Sequence, residues 1–369
     1  MKFAPRISNP LVTTALAFAL AVSSVSPVLA QATTTSAPAK QANIVILATG
    51  GTIAGTGATS TTTVGYTAAK VGVDRLIEAV PELKKVAHVR GEQVFQVASE
   101  NMTDDLWLKL GKRVNQLLAQ SDVDGIVITH GTDTLEETAY FLDLVVKSTK
   151  PVVLVGAMRP STAISADGPI NLYNATLLAA SQEAVGKGVM VAMNDQINSG
   201  RDVTKLNTST IDTFRSPDLG FLGYLQDNKA HFYRLPIRKH TVATEFDIAN
   251  VDVLPKVDIV YGYANATRVP VDAFVAAGVK GLIHAGVGDG SVHKNVLPAL
   301  TEARKQGVII VRSSRVGSGI IARNGEANDD ELDFVVSDSL NPQKARILLM
   351  LGLTKTTDTK ELQRMFRTY

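Results

Sequence analysis

Four short runs of continuous apolar, β-branched sequence constrain this chain more than anything else in it. They are Asn43–Ala48 (NIVILA), Gly125–Thr129 (GIVIT), Pro151–Val155 (PVVLV) and Gly188–Met193 (GVMVAM). Runs that do not alternate with polar residues suit parallel strands buried on both faces. Helical patterns separate them. Met102–Leu118 places Leu106, Leu110, Val114 and Leu117 at helical spacing, and Pro169–Ser181 carries a proline near its first turn. Thr134-Leu135-Glu136-Glu137 reads as a capping box opening a helix through Val146. Strand and helix in alternation predict an α/β fold, a doubly wound parallel sheet. From Ile211 to about Val257 the pattern lapses into polar, irregular sequence, expected to connect two domains. The alternation then resumes at Val257–Tyr261, Val271–Ala277, Gly281–His284, Lys294–Lys305 and Val308–Val311, with helices over Asn341–Leu353 and Asp358–Phe366. The expected organisation is a larger N-terminal domain over 42–233, a connection over 234–256 and a smaller C-terminal α/β domain over 257–369.

The first 30 residues read differently. Lys2 and Arg6 precede an apolar run, Leu11–Val22, and Val28-Leu29-Ala30 forms a small-x-small cleavage site. This is the order of a secretory signal peptide. The competing reading is a membrane anchor, but the run falls short of the roughly 20 residues a spanning helix needs. Residues 31–41 (QATTTSAPAKQ) read as a flexible segment. The 369 residues contain no Cys, which excludes disulfides, thiolate metal sites and a cysteine nucleophile. A secreted chain without Cys points to a bacterial periplasm. Of 37 basic and 35 acidic residues, the signal removes two basic ones, leaving the charges balanced at 35 each. A balanced chain gives no reason to expect a nucleic-acid or membrane-surface partner.

In an open parallel sheet, ligands bind beyond the carboxyl ends of strands. The first strand runs into Thr49-Gly50-Gly51-Thr52, and the strand at Gly125 runs into His130-Gly131-Thr132-Asp133. Each delivers a Gly-Thr pair to the same edge. Glycine permits a sharp turn and close approach, and threonine presents a hydroxyl. Taken singly, Thr52 and Thr132 also fit turn or cap positions. Gly50 to Gly55 has phosphate-loop spacing, but Thr56 stands where such a loop has Lys. A threonine hydroxyl is a poor nucleophile until a base takes its proton. The six His show no patterned spacing and no metal motif. Lys205, just past the fourth strand, can reach the same edge on topology, though on the residues alone a surface lysine is the favoured reading. Two readings therefore stay open on the residues alone: a hydroxyl-nucleophile hydrolase, or a binding protein with hydroxyl-lined pockets.

Longer motifs narrow this. Ile46–Ala54 (ILATGGTIA), Gly125–Thr134 (GIVITHGTDT), Gly156–Pro160 (GAMRP), Ser165–Gly168 (SADG) and Leu340–Arg346 (LNPQKAR) make the chain resemble the bacterial type II L-asparaginases. Within them it is most similar to the periplasmic glutaminase-asparaginases of the Pseudomonas type. The resemblance covers about 42–369. It implies a flavodoxin-like N-terminal domain followed by a smaller α/β domain, a homotetramer with active sites at a subunit interface, no cofactor and no metal. It also implies hydrolysis of the side-chain amides of L-glutamine and L-asparagine. By motif position, Thr52 matches the nucleophile and Tyr66 the tyrosine of the lid loop. Thr132, Asp133 and Lys205 match the assisting hydroxyl, carboxylate and amine. Ser99 and Glu100 match the residues holding the substrate's α-carboxylate and α-ammonium, with Gly51, Gly131 and Ala157 beside it. Glu326 matches an acid from the neighbouring subunit. Glu100 and Ser291 stand where strict asparaginases often have Gln and Asn, so the resemblance implies action on both amides. A periplasmic amino-acid-binding protein without turnover is the rival.

Overall fold

Nine residues rather than six form the first strand, β1 (Ala42–Gly50), because Thr49 keeps its polar group satisfied by donating from Oγ1 to Thr129 O at 2.8 Å. The computed structural model describes residues 41–369, which form one compact unit. The expected signal peptide and the segment after it lie outside the described residues, Gln41 excepted; that residue donates to the carbonyls of Lys84 and Lys85. After β1 come α1 (Val73–Glu78), α2 (Leu83–Val86), β2 (Ala87–Val97), α3 (Asp104–Leu118), β3 (Gly125–Thr129) and α4 (Leu135–Val145). Then follow β4 (Val152–Val155), α5 (Gly168–Ala180), β5 (Val189–Met193), β6 (Gln196–Ser199), β7 (Thr204–Lys205), β8 (Phe214–Arg215), β9 (Gly223–Gln226) and β10 (Lys229–Phe232). The second half contributes β11 (Val257–Tyr261), α6 (Val269–Ala276), β12 (Gly281–Gly286), α7 (Leu297–Lys305), β13 (Ile309–Ser314), α8 (Asp329–Leu332), β14 (Val335–Val336), α9 (Pro342–Leu353) and α10 (Thr359–Thr368).

The large sheet runs β10-β9-β6-β5-β4-β3-β1-β2. Its β2-β1-β3-β4-β5 part is parallel, which is the flavodoxin-like order with its switch point between β1 and β3. The remaining strands join antiparallel. Every residue of β3, β4 and β5 is buried, as expected for strands covered on both faces. The smaller sheet, β11-β12-β13-β14, is wholly parallel. α6 and α7 cover one of its faces. α9 fills the other and packs on α4 of the first half, and its consecutive residues Ile347–Gly352 are all buried. Among the described residues no helix is long and apolar enough to cross a membrane.

Two expectations need correction. The stretch from Ile211 is not only a connection, because it holds β8, β9 and β10. The β9–β10 hairpin turns at Asp227-Asn228, both with positive φ, and extends the large sheet. Its half-exposed alternation hides it among polar residues. β2 is an edge strand with the same mixed pattern. The capping box does not form. Thr134 does stand at the N-cap, but its hydroxyl donates to Ser99 O at 2.9 Å instead. Glu137, which the box would have used, sits in a largely buried position that pushes its carboxyl up to about 7.

Two buried histidines have an energetic consequence. Burial takes His130 and His284 each down to about 4, and Arg312, paired across the strand from His284, adds to the effect there. Neither ring nitrogen of His284 has a hydrogen-bond partner among the described residues. The unfolded chain takes up these protons near pH 6.5 and the folded one near 4. Their contribution to stability is therefore full above about 6.5 and is lost as pH drops toward 4, roughly 3 kcal/mol per histidine, while the raised carboxyl of Glu137 acts in the opposite sense. Thermal melting followed from pH 7 to 4 should show the midpoint of His284→Gln gaining on that of the wild type as the pH falls; parallel curves would contradict the assignment.

Candidate active site

The site lies at the switch point. β1 ends in Gly50 and Gly51, both with positive φ (114° and 81°), and the chain turns directly into the 3-10 turn that begins at Thr52. β3 ends beside it. A Cβ on Gly51 would lie 2.3 Å from Gly131 Cα, and a Cβ on Gly131 would lie 2.5 Å from Ser99 Oγ. Only glycine fits at either position, so the two strand ends and the Ser99 turn close on one another. Thr52, Ser99 and Thr132 are buried there.

His130 explains how Gly131 is held. Trp107 Nε1 donates to Thr138 Oγ1 (2.8 Å), and Thr138 lies 2.9 Å from His130 Nε2. His130 Nδ1 lies 2.8 Å from Gly131 O. With burial keeping the ring neutral, Nδ1 carries the hydrogen and donates to Gly131 O, while Nε2 accepts from Thr138. His130 thus fixes a peptide and is not itself in the cleft.

Two polar groups meet at this edge. In the first, Thr52 Oγ1 is 2.7 Å from Tyr66 OH. Tyr66 comes from the loop after Thr52, which is pinned by paired backbone hydrogen bonds between Thr56 and Thr67. That loop also reaches across to Thr162 through Gly57 N and to Ile164 N through Ser60 O. In the second, Lys205 Nζ donates to Thr132 Oγ1 at 2.9 Å and to Asp133 Oδ1 at 2.7 Å. The Lys205 side chain is 17% exposed and that of Asp133 59%, so the carboxylate, not the amine, faces out of the group. Asp133 N donates to Ser99 Oγ at 3.2 Å, leaving the Ser99 hydroxyl hydrogen available to a ligand.

A cavity of about 460 Å³ joins the two groups, lined by Tyr66, Glu100, Thr132, Asp133, Arg159 and Lys205 among others. Ala157 is buried in the segment leading to Arg159. Asp167 accepts from the backbone N–H of both Met158 and Arg159, which shapes that wall. Ser291 and Glu326 do not line this cavity. They meet each other instead, with Ser291 Oγ donating to Glu326 Oε2 at 3.0 Å. Arg312 organises their loops. It is fully buried, forms a bidentate pair with Asp329 (2.6 and 2.7 Å), and donates to the carbonyls of Asp289, Gly290 and Ala322. Among the described residues no group of three or more His, Asp or Glu side chains is arranged to hold a metal ion.

The structure thus brings together Gly51, Thr52, Tyr66, Ser99, Glu100, Gly131, Thr132, Asp133 and Lys205, leaves Ala157 buried behind the Met158–Arg159 wall, and sets Ser291 and Glu326 apart. Sequence reasoning missed the second layer: His130 and Thr138 behind Gly131, Asp167 behind Arg159, and the buried Glu136, whose Oε2 accepts the Lys205 N–H at 2.6 Å. Glu136 was readable only as one letter of a capping box.

Residues 43–238 match the family domain described as Asparaginase, N-terminal, and residues 256–366 match the Glutaminase/Asparaginase C-terminal domain. The chain is 56% identical over 352 residues to the glutaminase-asparaginase of Pseudomonas fluorescens biotype A, covering 95% of this chain and 97% of that protein. It is 53% identical over 327 residues to L-asparaginase 2 of Escherichia coli K12, covering 89% and 93%. A crystal structure of a probable cytoplasmic L-asparaginase from Campylobacter jejuni superposes with a TM-score of 0.87 at 51% identity, covering 89% of this chain and all of that one. The chain belongs to the bacterial type II asparaginase family.

Proposed function

We propose that this chain hydrolyses the side-chain amides of L-asparagine and L-glutamine, releasing ammonia and the corresponding dicarboxylic amino acid. The observation that carries the reading is the convergence of Lys205, Thr132 and Asp133 on the strand end beside Thr52 and Tyr66. Thr52 Oγ attacks the amide carbon. Its proton passes toward Tyr66, the one hydroxyl within hydrogen-bond distance among the described residues, and the departing nitrogen takes up a proton as ammonia. Water then completes the hydrolysis. Thr132 and Lys205 assist proton movement, and Asp133 orients the amine. The Ser99 hydroxyl takes the substrate's α-carboxylate, while Glu100 and Asp133 pair with its α-ammonium. Ala157 offers its carbonyl near the substrate amide. No cofactor enters.

Glu326 and Ser291 act in a neighbouring copy's site, within a homotetramer. Their separation from this chain's own cavity and their mutual hydrogen bond support that reading. A relative from Haemophilus influenzae, 51% identical, is named a probable periplasmic L-asparaginase. Together with the signal-like first 30 residues, it supports a periplasmic location.

Ammonia release by the purified mature chain, with each amide in parallel, tests the reading. Turnover of both is expected. Thr52→Ala should lower kcat by at least about 10³-fold and Lys205→Met by about 10²-fold or more, with both proteins folded. Tight binding without ammonia would instead place the chain among binding proteins. Ser291→Asn should lower kcat/KM for glutamine about tenfold relative to asparagine, the scale at which a pocket separates substrates one methylene apart. An unchanged ratio would remove Ser291 from specificity.

A further inference from the structure

Lys205 occupies a precarious place in the fold. β7 contains only Thr204 and Lys205 and pairs only with the two residues of β8, so neither sheet holds it. Its position is set by other contacts, and these lead to the start of α9. Glu136 is buried on the first turn of α4. One of its oxygens accepts the Lys205 backbone N–H at 2.6 Å. The other accepts from Asn341 Nδ2 at 3.0 Å and Gln343 Nε2 at 2.6 Å. Lys344, one residue further along, is fully buried. Its ammonium donates to the carbonyls of Gly200 (3.2 Å), Arg201 (2.7 Å) and Val203, the segment that delivers Lys205.

An ammonium has three hydrogens, and here all three meet carbonyls of one turn. Burial pushes Lys344 down to about 8, while Glu136 and Asp202 pull the other way. Among the described residues no carboxylate touches it, so a costly buried charge serves to gather a backbone segment. Helix α9 itself is anchored in the second half of the chain, against β11–β13.

We infer that Glu136 and Lys344 are positioning residues for Lys205: from the start of α9 they fix its backbone so that its amine meets Thr132 and Asp133. This rests on the reading of Lys205 as an assisting group in amide hydrolysis. Neither residue lies within hydrogen-bond distance of Thr132 or Asp133, so both act through Lys205.

A displacement of about 1 Å at an assisting group can cost about 10²-fold in rate. The test is steady-state hydrolysis of L-asparagine by the mature wild-type chain, Lys344→Met and Glu136→Gln, with circular dichroism and melting to identify folded variants. The expected result is a kcat at least tenfold lower, with KM within twofold, because Ser99, Glu100 and Asp133 keep the substrate contacts. Combined with Lys205→Met, each variant should add less than twofold to the loss that Lys205→Met causes alone. Glu136→Gln keeps the shape of the side chain and decides the matter if Lys344→Met fails to fold. A folded variant with kcat within twofold of wild type overturns the inference. So does a KM that rises in step with the loss of kcat, which marks general damage to the cleft. Absence of ammonia release by the wild type would defeat the functional reading itself, and is distinguishable from either outcome.

Discussion

β1 and β3 lie side by side, and the backbone leaving each strand must turn within a space that admits no side chain. A Cβ on Gly51 would stand 2.3 Å from Gly131, and one on Gly131 would stand 2.5 Å from Ser99 Oγ. That crowding is the condition for everything else at the switch point. It puts the first hydroxyl after each strand, Thr52 and Thr132, at one edge of the sheet, and it brings the Ser99 turn against both. The parallel sheet supplies rigidity, since β1, β3 and β4 are packed into one apolar core. The glycines convert that rigidity into a defined spacing between two hydroxyl groups.

The other participants come from less rigid parts. Tyr66 sits on a loop with few apolar anchors, where Val64 is 74% exposed, yet its hydroxyl reaches Thr52. Such loops belong to the low-stability end of a structure and are suited to opening for substrate. Lys205 comes from a strand of two residues. Its fixed position depends on Glu136 from the first half of the chain and on Asn341, Gln343 and Lys344 from the second. The smaller domain therefore contributes to the site without lining its cavity, through the start of a helix buried on all sides.

Much of this was legible in the sequence, for identifiable reasons. Continuous β-branched runs gave β1, β3, β4 and β5, because strands covered on both faces have no polar residues to interrupt them. The Gly-Thr pairs were legible because glycine in a strand-end turn has a backbone cause. β2, β9 and β10 were not, since strands at or next to the sheet edge with one wet face look like loops. Thr134 misled in a specific way: its hydroxyl had a better partner in Ser99 O, a residue 35 positions away that no local pattern reveals. Lys205 could be placed at the right edge by topology, but its pairing with Thr132 and Asp133 depends on contacts 72 and 73 residues apart. Lys344 was legible as part of the Leu340–Arg346 motif and of a helix but not as a buried residue, because nothing local marks a lysine that will be buried among carbonyls.

The proposed hydrolysis requires the amide carbon to be held between Thr52 and the Thr132–Lys205 group. The most direct test is a crystal structure of the Lys205→Met protein soaked with L-aspartate, the product of asparagine hydrolysis. The expected result is the side-chain carboxylate within hydrogen-bond reach of both Thr52 Oγ1 and Thr132 Oγ1, with the α-carboxylate on Ser99 and the α-ammonium on Glu100 and Asp133. Aspartate bound in the cavity with its side chain away from both threonines would contradict it.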